Sequence, residues 1–206
     1  MNKTVLASFA VAALCAGANA LTLPAPAKEG GKPLLTALAE RKSCRDYQVR
    51  ELDPQTLSSL LWAADGVSRP DGRRTAPTGL NVQDIDIYVM LASGVYLYDA
   101  KAHALVLVNE GDHRAAAGRQ PFPKTVPLNL FYVQDLSKAM RADEANTARH
   151  GGIHTGAIMQ NVYLFCAQEK LGCVARDYID RAALAPVLKL RADQRIILGQ
   201  SVGYMK

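Results

Sequence analysis

GGIHTGAIMQNVYLFCAQEKLGCVAR, residues Gly151–Arg176, decides how the rest of the chain is read. Ile158, Val162 and Phe165 recur at three-to-four-residue spacing on one side, while Ala157, Leu164 and Leu171 fill another. That apolar surface is wider than the single stripe of a surface helix. The spacing predicts one long helix covered on both faces, with Gly172 in the left-handed position just past its end. One cover is the chain's own sheet. For the other, a second copy of the chain packed through a self-complementary patch and the further core of a monomer suit the pattern about equally.

Working outward, the segments on either side supply that sheet. Asp84–Ala92 alternates Ile85, Ile87, Val89 and Leu91 inward, Ser93-Gly94 turns the chain, and Val95–Tyr98 returns as the second arm of a hairpin. Ala104–Val108, Leu128–Val133 and Arg195–Tyr204 read as further strands, with short helices at Asp112–Ala117 and Asp180–Leu188. Asp53-Pro54 is an N-cap followed by a first-turn proline, and Leu57, Leu60, Leu61 and Ala64 give the helix an apolar face before Gly66. Pro33 opens another helix, with Leu34, Leu35 and Leu38 expected to face inward, after a lead-in at Leu21–Lys32 whose Pro, Ala, Gly and Lys content suggests flexibility. Between the two arms of this framework, SRPDGRRTAPTGLN is a loop of the kind that carries function. Helices and strands are mixed, with hairpins, so the class is α+β, in one domain over residues 21–206.

The first twenty residues, MNKTVLASFAVAALCAGANA, carry Lys3, an apolar run and the small-x-small pattern Ala18-Asn19-Ala20. They read as a signal peptide cleaved after Ala20, which sends the chain to the periplasm or beyond. Cys15 lacks the neighbours of a lipoprotein signal, and no second apolar run of about 18 residues follows, so no membrane span is expected after cleavage. Loss of Lys3 lowers the formal net charge from +5 to +4. The cations are scattered except at Arg41–Arg45 and Arg69–Arg74, which excludes the basic stripe of a nucleic-acid binder and suits a small anion. Three cysteines remain, an odd number that argues against a disulfide framework. Cys166 and Cys173 are read as buried apolar residues, seven apart along a helix and beyond the reach of a disulfide unless the helix ends early. Cys44, between Ser43 and Arg45 with cations on both sides, is either a packing residue or a thiol of lowered pKa.

The chemistry that remains is narrow. His150 and His154 have the i, i+4 spacing of a metal pair, but Gly151-Gly152 is expected to break the helix that would align them, and they are read as exposed. No G-x-S-x-G elbow, H-E-x-x-H, P-loop or G-x-G-x-x-G occurs, so hydrolytic and Rossmann-type chemistry lack their marks. Arg41-Lys42-Ser43-Cys44-Arg45 places three cations and a hydroxyl in five residues directly after a helix. Arginine forks there suit a phosphate, whereas the ordinary reading is a solvated charge cluster.

Four motifs in order, R-x-S-x-R-x-Y at Arg41–Tyr47, the Asp53-Pro54 helix, R-T-A-P-T-G-x-N-x-Q at Arg74–Gln83 and G-A-I-x-Q-N-x-x-L at Gly156–Leu164, resemble the nitroreductase-like flavoprotein family. The likeness is to its short branch, which includes relatives of the dehydrogenases that oxidise thiazolines and oxazolines. The resemblance implies a mainly antiparallel central sheet flanked by helices, and a homodimer built around a long interface helix with FMN at the interface. It implies an oxidoreductase moving two electrons to or from a small flat substrate, a quinone or nitroaromatic. On matching positions, Arg41, Ser43 and Arg45, with Lys42 between them, hold the flavin's phosphate, ribityl chain and pyrimidine edge, where a cation favours the reduced ring. Pro77, Thr78, Gly79 and Asn81 resemble the segment laid against the ring by the partner subunit, and Ala175 and Arg176, in an expected loop after Gly172, lie where a backbone N–H of the family faces the flavin. Longer relatives continue past the position of Lys206 with an arm that adds cations to the phosphate. A different class, a non-catalytic flavin-binding or redox-assembly protein on the same dimer, fits the same motifs. Export separates the chain from NAD(P)H and points to a quinol, a thiol or a redox partner protein as electron donor.

Overall fold

Eight consecutive residues, Leu128–Asp135 (β5), are buried on both faces of a sheet, which explains why Leu128, Leu130, Phe131, Tyr132 and Val133 do not follow the alternation of a half-exposed strand. The computed structural model describes residues 20–140 and 142–206; the expected signal peptide, Ala20 apart, lies outside the described residues. With Ala20–Thr22 (β1), Ile85–Leu91 (β2), Gly94–Asp99 (β3), Ala104–Glu110 (β4), Leu171–Arg176 (β6) and Gln194–Tyr204 (β7), β5 forms a seven-stranded sheet of order β1-β4-β3-β2-β5-β7-β6. Every pair in it is antiparallel. The hairpin β2–β3 closes at Leu91↔Gly94 as its turn residues require.

The described residues form four α-helices, Leu34–Glu40 (α1), Pro54–Asp65 (α2), Glu144–Gln168 (α3) and Arg181–Val187 (α4), with α1 packed on α3. The α2 start follows from its sequence. Asp53 accepts from the Thr56 N–H at 2.9 Å and Pro54 opens the first turn, a cap whose loss costs about 1 kcal/mol. The helix's own Leu60 and Leu61 are fully buried against the core, each contributing roughly 2 kcal/mol. α2 and α3 cover one face over Leu57, Val89, Leu130, Ile158 and Val162. α4 covers the other over Met90, Phe131, Val133 and Ile196. Among the described residues no helix is long and apolar enough to cross a membrane.

Several expectations are corrected. The long helix is real but displaced: it begins at Glu144, capped by the Asp143 carboxylate, and ends at Gln168. Gly151-Gly152 does not break it. Gly151 packs against the Gln134 side chain, where a Cβ would collide, so the glycine is an approach point of helix to sheet. The left-handed residue after the helix is Lys170 (φ 57), not Gly172, and Leu171–Arg176 is a strand paired in register with β7. Apolar residues crowd both elements, so periodicity alone does not mark the change. Cys173 therefore sits on β6, off the helix of Cys166, and both thiols are buried and free.

The lead-in is not a loose tail. β1 pairs with β4, Leu23 is buried, and the Pro24 carbonyl and Ala27 N–H bond to Ser58 and Ser59 of α2. In α1, whose first residue follows Pro33, only Ala37 is buried. Leu34, Leu35 and Leu38 are 63%, 78% and 44% exposed in the single chain instead of facing inward. The helix expected at Asp112–Ala117 is a single 3-10 turn, Arg114–Ala116.

Candidate functional site

α1 ends at Glu40, and the chain leaves the helix at Arg41 (φ −56°, ψ 120°) to run as a non-helical segment pinned by isolated bridges at Ser43 and Tyr47. Ser43 bridges Cys173 in parallel, and the Cys44 N–H donates to the Cys173 carbonyl at 2.8 Å, stitching the segment to β6. The Arg41 guanidinium stands 5.3 Å from the centre of the Tyr163 ring and Ser43 Oγ lies 3.1 Å from the Tyr163 hydroxyl. Lys42 and Cys44 line a cavity of about 410 Å³ that Tyr163 also borders, with Cys166 and Lys170. The acids nearest in sequence are already engaged, Glu40 by Lys32 and Asp46 by Lys206. Among the described residues no carboxylate pairs with Arg41, Lys42 or Arg45. Lys206 itself reaches this turn, its ammonium 3.1 Å from Asp46.

The second predicted group lies elsewhere on the chain. Pro77, Thr78 and Asn81 border a separate cavity of about 400 Å³. The turn is held in an uncommon conformation, with Leu80, Asn81 and Gln83 all at positive φ (50°, 56° and 50°), each costing roughly 1 kcal/mol or more. What holds it is a buried relay that sequence reasoning missed. His154, read as exposed, is 3% exposed. Its Nδ1 meets Asp84 Oδ1 at 2.7 Å and its Nε2 accepts the Gly79 N–H at 2.9 Å. With Nε2 accepting, the Nδ1 proton points toward the carboxylate, and the two contacts fix the orientation of the ring. Asp84 also accepts from Gln134 Nε2 at 2.7 Å, and the Gln83 N–H donates to Thr78 Oγ1 at 3.1 Å. His154 and Asp84 are seventy positions apart, and no local spacing signals their pairing.

Ala175 and Arg176 do not sit on a loop. Both belong to β6, and the Ala175 N–H donates to the Tyr163 hydroxyl at 2.8 Å. Tyr163 thus joins Ser43 to β6, a role its plain aromatic identity does not announce. The Arg176 side chain turns into the core, donating to Ser201 Oγ (2.9 Å), Asn129 Oδ1 (2.6 Å) and the Ala117 carbonyl over the Phe131 ring. Burial without an acidic partner pulls its pKa down to about 10. It is a brace between strands, not a ligand-facing cation.

The two groups meet α3 at different points. Ser43 contacts it at Tyr163 and Gly79 at His154, nine residues and about 13 Å along the helix axis. The two cavities share no residue. The second face of α3 is incompletely covered: Leu164 and Phe165 line an open groove with Leu34 of α1 and Trp62 of α2. Among the described residues no group of three or more His, Cys, Asp or Glu side chains is arranged to hold a metal ion.

A family model described as the nitroreductase family matches residues 38–204. The chain belongs to the nitroreductase family, the class of FMN-dependent oxidoreductases its motifs resemble. It is 28% identical over 164 residues to a nitroreductase relative of Methanocaldococcus jannaschii, covering 75% of this chain and 83% of that one. A crystal structure of a nitroreductase relative from Ralstonia eutropha superposes with a TM-score of 0.87 at 36% identity, covering 93% and 92% of the two chains. A Desulfovibrio desulfuricans relative solved in complex with FMN shares the fold, with a TM-score of 0.62 at 22% identity over 85% and 88%.

Proposed function

We propose that this chain is an exported, homodimeric FMN oxidoreductase that moves two electrons to or from a small flat substrate of the quinone or nitroaromatic type. The observation that carries the reading is the cationic turn at Arg41–Arg45, three positive charges and an exposed hydroxyl with no acid paired to them among the described residues. Such a donor set fits the phosphate of FMN, since arginine forks and a hydroxyl satisfy its oxygens together. A solved relative carries FMN. When bound, FMN supplies the reversible two-electron chemistry that side chains lack.

The chain's own residues divide the remaining work. Arg41, Lys42, Ser43 and Arg45 hold the anionic and pyrimidine ends, and Arg45, exposed beside the turn, is the cation that favours negative charge on the ring. Pro77, Thr78, Gly79 and Asn81 of a second copy cover the ring and exclude water. Asp84 and His154 keep that turn in its left-handed conformation before anything binds. Ala175 acts through Tyr163, which already takes its N–H. Arg176 has no contact role in this reading and braces β6 instead.

The half-covered face of α3 and the exposed leucines of α1 support the second copy, because together they leave an apolar surface that a dimer removes from water. The leader-like first twenty residues support export, and export separates the enzyme from NAD(P)H in favour of a quinol, a thiol or a redox partner protein. The test is the absorbance spectrum and molar mass of the protein purified from the periplasm. A yellow dimer with stoichiometric FMN is expected; a colourless monomer that refuses added FMN overturns the proposal.

A further inference from the structure

The cavity beside the Pro77–Asn81 turn has an electrostatic character that flavin binding does not require. Three of the residues that border it are arginines, Arg69, Arg73 and Arg74, and none is acidic. Their charges are not equally free. Arg74 is bound to the buried carboxylate of Asp65, and Arg73 faces exposed Asp71 at 3.2 Å, a contact that solvent weakens. Arg69 donates only to the Arg74 carbonyl at 3.3 Å and has no acidic partner among the described residues.

The loop that carries them is rigid. Val67 and Arg74 pair as an antiparallel bridge, the Ser68 N–H donates to the Arg73 carbonyl at 2.9 Å, and the Gly72 N–H donates to the Arg69 carbonyl at 3.0 Å. Gly72, at φ 81°, makes the tight turn possible. The two exposed arginines are therefore carried on an ordered backbone, so the cost of ordering the loop is met during folding.

We infer that Arg69 and Arg73 form an anion-selecting rim, so that the preferred flat substrate carries a negative charge, a carboxylate or sulfonate on an aromatic ring. The inference rests on the proposed function, in which Pro77, Thr78 and Asn81 of the same cavity wall lie against the flavin. An anion entering there meets positive charge on arrival and keeps it at the edge of the ring, which raises both the encounter rate and the occupancy.

The test compares 1,4-naphthoquinone-2-sulfonate with neutral menadione, titrated calorimetrically into the oxidised, FMN-saturated protein and used to reoxidise the dithionite-reduced protein in stopped flow. The native protein is expected to bind the sulfonate more tightly, and 0.5 M salt to erase most of that preference. In the double variant R69A/R73A, the dissociation constant for the sulfonate rises about tenfold and that for menadione changes less than about twofold, with R69K/R73K restoring the preference. An unchanged ratio in R69A/R73A, with FMN still bound, overturns this inference and leaves the flavin reading standing. A protein that takes up no FMN overturns both.

Discussion

Replacing Asp65 with asparagine tests how the functional loop is anchored. Asp65 ends α2, is 2% exposed, and is bound by Arg74 through one carboxylate oxygen. The other oxygen, Oδ1, and Arg74 Nε are buried without partners. Burial therefore outweighs the guanidinium, and the Asp65 pKa is pushed up to about 7 from an unfolded value near 4. Between these values the folded protein holds a proton that the unfolded chain has released, so this group's contribution to stability falls as pH rises. Linkage puts the loss at about 2 kcal/mol by pH 5 and about 4 kcal/mol by pH 8. Asparagine does not ionise, so the stability of Asp65→Asn relative to the native chain should improve by about 2–3 kcal/mol between pH 5 and pH 8. Trp62, the single tryptophan, lies one turn from Asp65 and donates to the Val67 carbonyl at 3.0 Å, so urea unfolding at both pH values followed by its fluorescence reads the difference. A pH-independent offset, or a change of opposite sign, would show that the Arg74 pairing wins over burial and refute the reasoning.

Other consequences follow from the same contacts. His154→Ala leaves Asp84 and the Gly79 N–H each short of a partner and should cost about 2–4 kcal/mol in urea melts, with weaker FMN retention because the turn loosens. Arg45→Ala should raise the FMN dissociation constant at least about tenfold, whereas Cys44→Ala should leave it within about twofold in fluorescence titrations; an essential Cys44 would replace the flavin reading with a thiol mechanism. Gly151→Ala drives a methyl into Gln134 and should lower stability by about 1–3 kcal/mol, seen as a drop in melting temperature. Stopped-flow mixing of the oxidised holoprotein with NADH or NADPH should bleach the flavin slowly; reduction at ordinary turnover rates would count against an extracytoplasmic donor.

What the sequence disclosed follows the range of the forces involved. Asp53-Pro54 and the alternation of Ile85, Ile87 and Val89 act within a few residues, and α2 and β2 appear where they were expected. The boundary between α3 and β6 was hidden because Phe165, Cys166, Leu171, Cys173 and Val174 are apolar for two different reasons, burial under a helix and burial in a sheet. Leu34, Leu35 and Leu38 were legible as apolar, but their surroundings depend on what covers α1. The cationic turn was legible as chemistry. His154 was not, since its meaning comes from Asp84 and Gly79, which only the folded chain brings to it.

Because α3 meets the cationic turn at Tyr163 and the strained turn at His154, under the proposed reading a solitary chain owns two unfinished halves and no finished centre. Turnover per chain would then fade on dilution once the pair dissociates, so the rate would become second order in protein. Mixing a chain crippled at Arg45 with one crippled at Asn81 would regenerate one working centre in each hybrid, a rescue that a self-contained active site does not permit.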